Sequence, residues 1–146
     1  MDLLHMINTA PDAVIVLDRS DRVVYWNYGA MDTFGFHEDD MIGQHLDAIV
    51  PEKLRQRHAE AFLKFIETGH SKYAPGHTMA VPAIHKNGDR LSIEFRLSVA
   101  KNDQDQIEYV MAIIRDVTDQ WHKNQELRQR LKAAEANRSD NTTSHK

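Results

Sequence analysis

The chain has 146 residues, of which 41% are hydrophobic and 27% charged, as in a single soluble globular domain. A formal net charge of −4 indicates neither a nucleic-acid surface nor an anionic membrane partner. The lack of cysteine excludes disulfides, thiolate metal sites, c-type haem attachment and cysteine photochemistry. Since no apolar run is long enough to span a membrane and no signal peptide opens the chain, a cytoplasmic location is expected.

The first predicted elements are a helical cap and a β-hairpin. Residues 1–10 read as a short helical lead, with apolar side chains at Leu3, Leu4, Met6 and Ile7. A continuous β-branched run over 13–17 predicts a buried strand. Residues 18–21 predict a turn and residues 22–27 a second strand, so the pair reads as a hairpin.

The longest helical pattern runs from Pro51 to Gly69, after short helical segments at 28–34 and 37–40. Pro51 suits the first helical position, and Gly69 suits the left-handed residue after the last turn. Apolar side chains recur at helical spacing on one face: Leu54, Ala61, Phe62, Phe65 and Ile66. His58 falls on the same face, so its imidazole is expected to point into the interior.

This helix alone leaves the role of His58 open. A buried imidazole needs a partner for at least one ring nitrogen, because an unsatisfied buried polar group costs ~1–3 kcal/mol. That partner is a backbone carbonyl, a water molecule or a metal. Without further information, the pattern favours a hydrogen-bonded core histidine over a metal ligand.

Three further strands are predicted after the long helix. Residues 78–86 predict an edge strand, because Pro82 cannot donate to a ladder, and Asn87-Gly88 predicts a hairpin turn. The next strand alternates apolar and polar residues and is expected to bury Leu91, Ile93, Phe95, Leu97 and Val99. Residues 109–114 predict a central strand. The order predicts an α+β fold, a five-stranded antiparallel sheet with short helices on one face.

The C-terminal segment is predicted to be an amphipathic helix followed by a tail. The helix is expected over residues 119–137, and residues 138–146 are expected to be disordered because they are polar. A seam of about two heptads is formed by Asn124, Leu127, Leu131 and Ala134. This seam and the apolar face of the N-terminal cap predict a parallel homodimer, the alternative being a solvated tail.

Four stretches, taken in order, resemble the PAS domain family: AVIVLDRSDRVVYWN, GFHEDDMIGQHL, KNGDRLSIEFRLS and IIRDVTD. The resemblance covers residues 8–119. It implies a PAS sensor domain at 11–118 between an N-terminal cap at 1–10 and a C-terminal signalling helix. PAS domains are sensory and dimerising modules, so the resemblance implies signalling and no enzymatic activity.

Within this family, the segment PEKLRQRH is similar to the PERLRxRH-like segments of rhizobial oxygen-sensor kinases, which bind haem b through a helical histidine. The resemblance puts His58 at the iron-ligating position, with Leu54 and Phe62 beside it. It also implies that Phe95 and Leu97 cover the distal face of the haem.

The position of the distal arginine in those oxygen sensors falls near Met79. Met79 is therefore a candidate sixth ligand to iron, which would make the haem six-coordinate and responsive to redox state or CO. His77 lies on the same side of that strand, but a lining or solvent-facing role is favoured for it.

Two functional hypotheses other than a haem sensor remain open. A PAS module can hold FAD or a small organic ligand, or serve as a cofactor-free dimerisation domain, although Trp26 and Asn27 suit a flavin pocket only weakly. An enzymatic function has little support, because His70, His77 and His85 are irregularly spaced for a zinc site. Because no output domain is recognised in the sequence, an unidentified downstream signalling protein is expected as partner.

Overall fold

The computed structural model describes residues 1–70 and 80–143, with the backbone alone for 139–143. The helices are α1 (Leu3–Asn8), α2 (Tyr28–Phe34), α3 (Glu38–Met41), α4 (Arg55–Thr68) and α5 (Thr118–Thr143), with 3-10 turns at Leu46–Ile49 and Glu52–Leu54. The strands are β1 (Ala13–Asp18), β2 (Val23–Trp26), β3 (Val81–Ile84), β4 (Arg90–Lys101) and β5 (Ile107–Asp116). Two compact units are formed, Met1–Asp116 and Val117–Lys146, and each is described by itself.

The first unit contains one antiparallel sheet with the strand order β2-β1-β5-β4-β3. β5 is the central strand, as its apolar density predicts. β3 lies at an edge, where the missing N–H of Pro82 is tolerated, and it pairs with β4 through Pro82 and Ser92. The predicted five-stranded α+β fold is thus confirmed.

The main core lies on the sheet face that carries the short helices. Alternate residues of β1 and β5 point to this face, and they pack against α2, α3 and the first 3-10 turn. The largest fully buried side chains are Trp26, Phe34, Ile15 and Met41. Trp26 also donates its indole N–H to the Phe36 carbonyl at 2.9 Å, so its polar atom is satisfied inside the core.

The Asn27 side chain connects the start of α2 to the N-terminal segment through hydrogen bonds. Its side chain is 1% exposed and makes four hydrogen bonds, two accepted by Oδ1 and two donated by Nδ2. Close packing at this point also requires Gly29, since a Cβ there would lie 2.2 Å from the Asp12 carbonyl oxygen. The hydrogen bonds explain why an asparagine can be buried after the second strand.

The helix predicted from Pro51 to Gly69 begins differently in the structure. Pro51 precedes the 3-10 turn Glu52–Leu54, and α4 starts at Arg55 with no side-chain cap at Leu54. The predicted end is confirmed, because Gly69 has a φ of 72° in the left-handed region. The 3-10 turn replaces the first predicted helical turn because no Ser, Thr, Asp or Asn is placed to cap α4 before Arg55.

The burial predicted for this helix was too broad. Within α4, which lies wholly in the described part of the chain, Ile66 alone is buried, and Ala61 is exposed. At 100° per residue, Ala61 lies roughly 140° around the helix from Ile66 and therefore outside the face that packs inward. The side of α4 that faces the interior is therefore the one that carries Phe62 and Ile66.

The C-terminal helix is longer than predicted. α5 runs from Thr118 to Thr143, so residues 138–143 are helical where disorder was expected, while 144–146 lie outside the described residues. The sequence after Asp116 contains no glycine or proline that would end a helix. No helix among the residues described is both long and apolar enough to cross a membrane.

Candidate functional site

His58 lies in the second turn of α4, on the side that faces the β1–β2 turn. Its position is roughly 80° around the helix from the buried Ile66, and its side chain is 31% exposed. The two ring nitrogens differ in their surroundings, because Nδ1 is shielded from solvent while facing Asp21. The expectation of an imidazole fully inside the core is therefore too simple, since the ring lies at the edge of the apolar face.

Asp21 occupies the last position of the β1–β2 turn, and its conformation is unusual for a residue other than glycine. Its φ of 61° lies in the left-handed region, which aspartate and asparagine tolerate better than most residues. The Asp18 carboxylate holds the turn by accepting hydrogen bonds from the backbone N–H groups of Ser20 (2.8 Å) and Arg22 (3.1 Å). The turn thus directs the Asp21 side chain toward α4.

The Asp21 carboxylate and the His58 imidazole face each other. Oδ2 of Asp21 lies 3.9 Å from Nδ1 of His58, and the Asp21 side chain is only 15% exposed. Both His58 Nδ1 and the second carboxylate oxygen, Oδ1, are buried and have no hydrogen-bond partner among the described residues. Two orphaned buried polar atoms at one place are unusual in a folded domain. They mark the site that we consider functional.

The charges around Asp21 act in opposite directions on its carboxyl group. Burial raises the pKa of Asp21 above its ordinary value, and Asp47 and Asp18 raise it further, whereas the His58 and His45 imidazoles lower it. His45 is also within hydrogen-bond distance of the Asp21 backbone, with Nδ1 3.0 Å from the carbonyl oxygen. Burial has the largest effect, so the pKa of Asp21 is raised overall. Ionisation of its carboxyl group therefore costs more free energy in the native state than in the unfolded chain.

In the cofactor-free protein, Asp21→Asn is therefore expected to raise the melting temperature at about pH 8, with a gain that shrinks toward about pH 4. A carboxyl group whose pKa is raised by folding costs stability as the pH rises through its folded value, and asparagine cannot ionise. Thermal melts of both proteins across this range test the prediction. Asp105→Asn is the matched control, because Asp105 has the same left-handed conformation (φ 60°) in an exposed turn. A gain that grows toward acid pH would contradict it.

Three of the four apolar residues predicted to surround His58 pack against the hydrophobic clusters. Phe62 packs against both the main core and a second cluster made by Ile66, Ile107 and Val110. Leu97 of β4 also touches both clusters, and Phe95 packs against the main core. These side chains and that of Leu54 are only half-buried.

The alternating burial predicted for β4 is only partly realised. Ile93 is buried, Leu91 is half-buried like Phe95 and Leu97, and Val99 is exposed. Met79, the predicted sixth ligand, and His77 lie outside the described residues. Of the predicted site residues, Phe62, Phe95 and Leu97 thus pack against the main core, whereas His58 faces Asp21.

Neither residue that was considered for a flavin pocket is free to bind one. Trp26 is buried in the main core, with its N–H bonded to a carbonyl. All the hydrogen-bonding groups of the Asn27 amide are engaged with the backbone. Both side chains are structural in this chain.

Sequence reasoning missed two features. One is Asp21, which precedes His58 by 37 positions in the sequence and was read only as part of a turn. The other is an open cleft of about 580 Å³ near α3, lined by Phe36, Asp40, Met41, Gln44, His45, Asp47, Ala48 and Lys86. Lys86 spans its rim, with Nζ 3.9 Å from Asp40 and 5.8 Å from the centre of the Phe36 ring. No local sequence pattern indicates either feature.

Comparison with known proteins identifies relatives among bacterial sensors. The chain is 23% identical over 121 residues to the oxygen sensor protein DosP of Escherichia coli, covering 83% of this chain and 15% of that protein. It is 26% identical over 117 residues to the sensor protein FixL of Bradyrhizobium diazoefficiens, covering 80% and 23% respectively. The chain thus spans less than a quarter of the length of either relative.

Solved structures and a family comparison agree on the fold. The PAS domain of a Colwellia psychrerythraea protein superposes with a TM-score of 0.67 at 20% identity, covering 80% of this chain and 94% of that one. An RNA-binding light-oxygen-voltage receptor superposes with a TM-score of 0.68 at 19% identity, covering 89% and 36%. The family described as PAS fold matches residues 7–121. This match extends over most of the chain, which therefore belongs to the PAS-fold family.

Proposed function

We propose that this PAS domain is a sensor that binds haem b through His58 and responds to a gas, O2 or CO, or to redox state. The observation that carries the proposal is the arrangement of the His58 ring. Its Nδ1 is buried against the Asp21 carboxylate, which leaves Nε2 as the nitrogen for an external ligand. Histidine that ligates a metal commonly donates its other N–H to a carboxylate, and the group that Nδ1 faces, at 3.9 Å, is the Asp21 carboxylate.

The surrounding side chains fit a flat apolar cofactor. Leu54 ends the 3-10 turn before α4 and Phe62 follows His58 on α4, while Phe95 and Leu97 belong to β4, and all four are half-buried. Apolar side chains that are incompletely packed can cover a ligand and exclude water from it. When bound, haem supplies an iron that takes up gases and changes oxidation state.

The relatives support the sensor class. One relative is named an oxygen sensor and another a sensor protein, and the segment that carries His58 resembles that of the rhizobial oxygen-sensor kinases. A sensory role without catalysis by this domain, signalling through a downstream protein partner, is part of the proposal. The cytoplasmic location expected from the sequence stays a prediction.

Absorbance of the purified protein tests the haem proposal. Protein expressed with a haem precursor, or reconstituted with haemin, should show a Soret band at about 400–430 nm, as expected for histidine-bound haem. A flavin spectrum would favour the alternative of an FAD-binding module, and fold neighbours include a light-oxygen-voltage domain studied with a flavin analogue (TM-score 0.64, 15% identity). Failure of the wild-type protein to take up haem would overturn the proposal and leave a small-ligand or cofactor-free dimerisation module.

A second prediction concerns the sixth ligand, which the sequence resemblance places near Met79. If Met79 completes the coordination of ferrous iron, Met79→Ala should convert a six-coordinate spectrum into a five-coordinate one and accelerate CO binding, because an open position no longer needs displacement. Absorbance and stopped-flow CO binding measure both effects. An unchanged spectrum would place Met79 outside the coordination sphere and leave His77 or water as the ligand.

The third prediction is a homodimer, through which the domain would transmit its signal. Leu3, Leu4 and Met6 on α1 are each more than half exposed, and so are Leu127 and Leu131, one turn apart on α5. Exposed apolar side chains at helical spacing are typical of an interface. We expect a parallel dimer of moderate affinity, because each seam is short. A concentration-independent monomer in light scattering at tens of micromolar would exclude it.

A further inference from the structure

The open cleft near α3 is lined by a different set of residues from the candidate haem site. Its volume of about 580 Å³ falls within the usual range for a small-molecule site. None of the described residues that line it is His58 or one of the apolar residues proposed to cover haem. An inference from this cleft therefore goes beyond the proposed function and does not depend on haem.

The least exposed side chains of the cleft are apolar. Met41 belongs to the main core, and Phe36 and Ala48 pack against that core. Because the core holds these side chains in place, the base of the cleft is formed before any ligand arrives. It offers an aromatic ring and aliphatic neighbours to the body of a small molecule.

The polar side chains of the cleft are mainly hydrogen-bond acceptors. Asp40 and Asp47 contribute carboxylates, which only accept when they are ionised. Nδ1 of His45 lies 3.0 Å from a backbone carbonyl oxygen of the β1–β2 turn. Since that oxygen cannot donate, the neutral imidazole carries its proton on Nδ1 and keeps the lone pair on Nε2. The lining therefore suits a ligand that donates hydrogen bonds.

Among the described residues of the lining, Lys86 supplies the one side chain that is always cationic at neutral pH. Its Nζ lies 3.9 Å from the Asp40 carboxylate and 5.8 Å from the centre of the Phe36 ring. A carboxylate beside an aromatic face is a combination that attracts ammonium groups. Both members of the Lys86–Asp40 pair are 53% exposed, so their contact costs little to break. Lys86 thus occupies a position that the ammonium group of a ligand could take.

The charges of the cleft favour a cation over an anion. The Asp47 carboxylate has no ion-pair partner in the part of the chain that the structure describes. Glu38 and Asp39 add two further negative charges in the first turn of α3. An anionic ligand would meet these carboxylates with one lysine to attract it.

We propose that the cleft is a second ligand site, which binds a small organic cation made of a primary ammonium group and an aromatic body. The body packs on the apolar base of the cleft. The ammonium group displaces Nζ of Lys86 from the Phe36 ring and from Asp40, and Asp47 provides a second carboxylate beside it.

An NMR titration of backbone amides in the full chain tests this proposal, with 2-phenylethylamine as the probe. Its neutral and anionic analogues, 2-phenylethanol and phenylacetate, have the same aromatic body. The amine should cause saturable shifts at residues 36–48 and at Lys86, the alcohol weaker ones, and phenylacetate none. Tighter binding of phenylacetate, shifts located elsewhere, or no saturable shift up to about 10 mM amine would overturn the proposal.

Three variants identify the charges that act on the amine. Lys86→Met should tighten its binding by about 2–5-fold, because the competing ammonium is removed. The substitution keeps the backbone N–H that donates to the Phe34 carbonyl at 2.8 Å. Asp47→Asn should weaken binding by about 2–5-fold.

Asp103→Asn is the matched control, since it makes the same change of net charge at an exposed residue outside the lining. The affinity of this variant for the amine should equal that of the wild type. Weaker binding in Lys86→Met, or equal effects of Asp47→Asn and Asp103→Asn, would contradict a cation site in the cleft.

Discussion

His58→Ala is expected to abolish specific haem uptake while leaving the domain folded. Loss of the ligand itself should reduce affinity by more than the roughly 10–100-fold that follows loss of an orienting partner. The unfolding free energy should change by no more than about 1 kcal/mol, because the imidazole is partly exposed and alanine is a good helix former. Haem titration and thermal melting of both proteins measure the two effects.

Added imidazole should partly restore the Soret band of His58→Ala, since the small ring can occupy the space left by the side chain. Gln56→Ala, an exposed substitution two residues earlier, is the matched control and should bind haem like the wild type. Unchanged haem affinity in His58→Ala would assign the ligand to another histidine. A loss of 1–3 kcal/mol in stability, with no cofactor signal in either protein, would instead indicate a structural core histidine.

The parts of the fold that were predicted well depend on local chemistry. α2 was predicted with its observed bounds, because Asn27 caps its first turn and Gly35 ends it at a φ of 81°. β1 and β5 were recognised from dense apolar runs that match their central places in the sheet. The start of α4 was placed too early, since Pro51 suggested a first helical turn that the chain forms as a 3-10 turn.

The candidate site was harder to predict than the fold, because its two members, Asp21 and His58, lie far apart in the sequence. His58 was identified from its spacing to Leu54 and Phe62, which is a property of one helix. Its partner Asp21 belongs to a turn between two strands, and only the packing of α4 beside that turn brings their side chains within 3.9 Å. Neither residue carries a sequence pattern that indicates the other. The resemblance to haem-binding relatives likewise concerned the helix alone.

Asn27→Ala is expected to destabilise the first unit by at least about 3 kcal/mol, a large part of the stability of a typical domain. The substitution removes the acceptor of the Val14 and Ala30 N–H groups, both at 2.8 Å. It also removes the donor to the carbonyls of Ile7 (2.9 Å) and Asp12 (3.1 Å). Each orphaned buried group costs about 1–3 kcal/mol, and a side chain that is 1% exposed leaves no access for water.

Urea denaturation measures this loss, and Asn102→Ala provides a matched control. Asn102 also accepts two backbone N–H groups, those of Gln104 and Gln106 at 3.0 Å each, but in an exposed turn where water can replace its side chain. Its substitution should cost no more than about 1 kcal/mol.

Asn27→Asp separates the two halves of the Asn27 network. The aspartate retains an acceptor for Val14 and Ala30 but loses the donor to Ile7 and Asp12, placing its oxygen against their carbonyls. Amide hydrogen exchange should therefore accelerate in α1 more than in α2, which keeps its cap. Equal acceleration in both helices, or equal costs for Asn27→Ala and Asn102→Ala, would show that the buried amide does not hold the N-terminal helix to the domain.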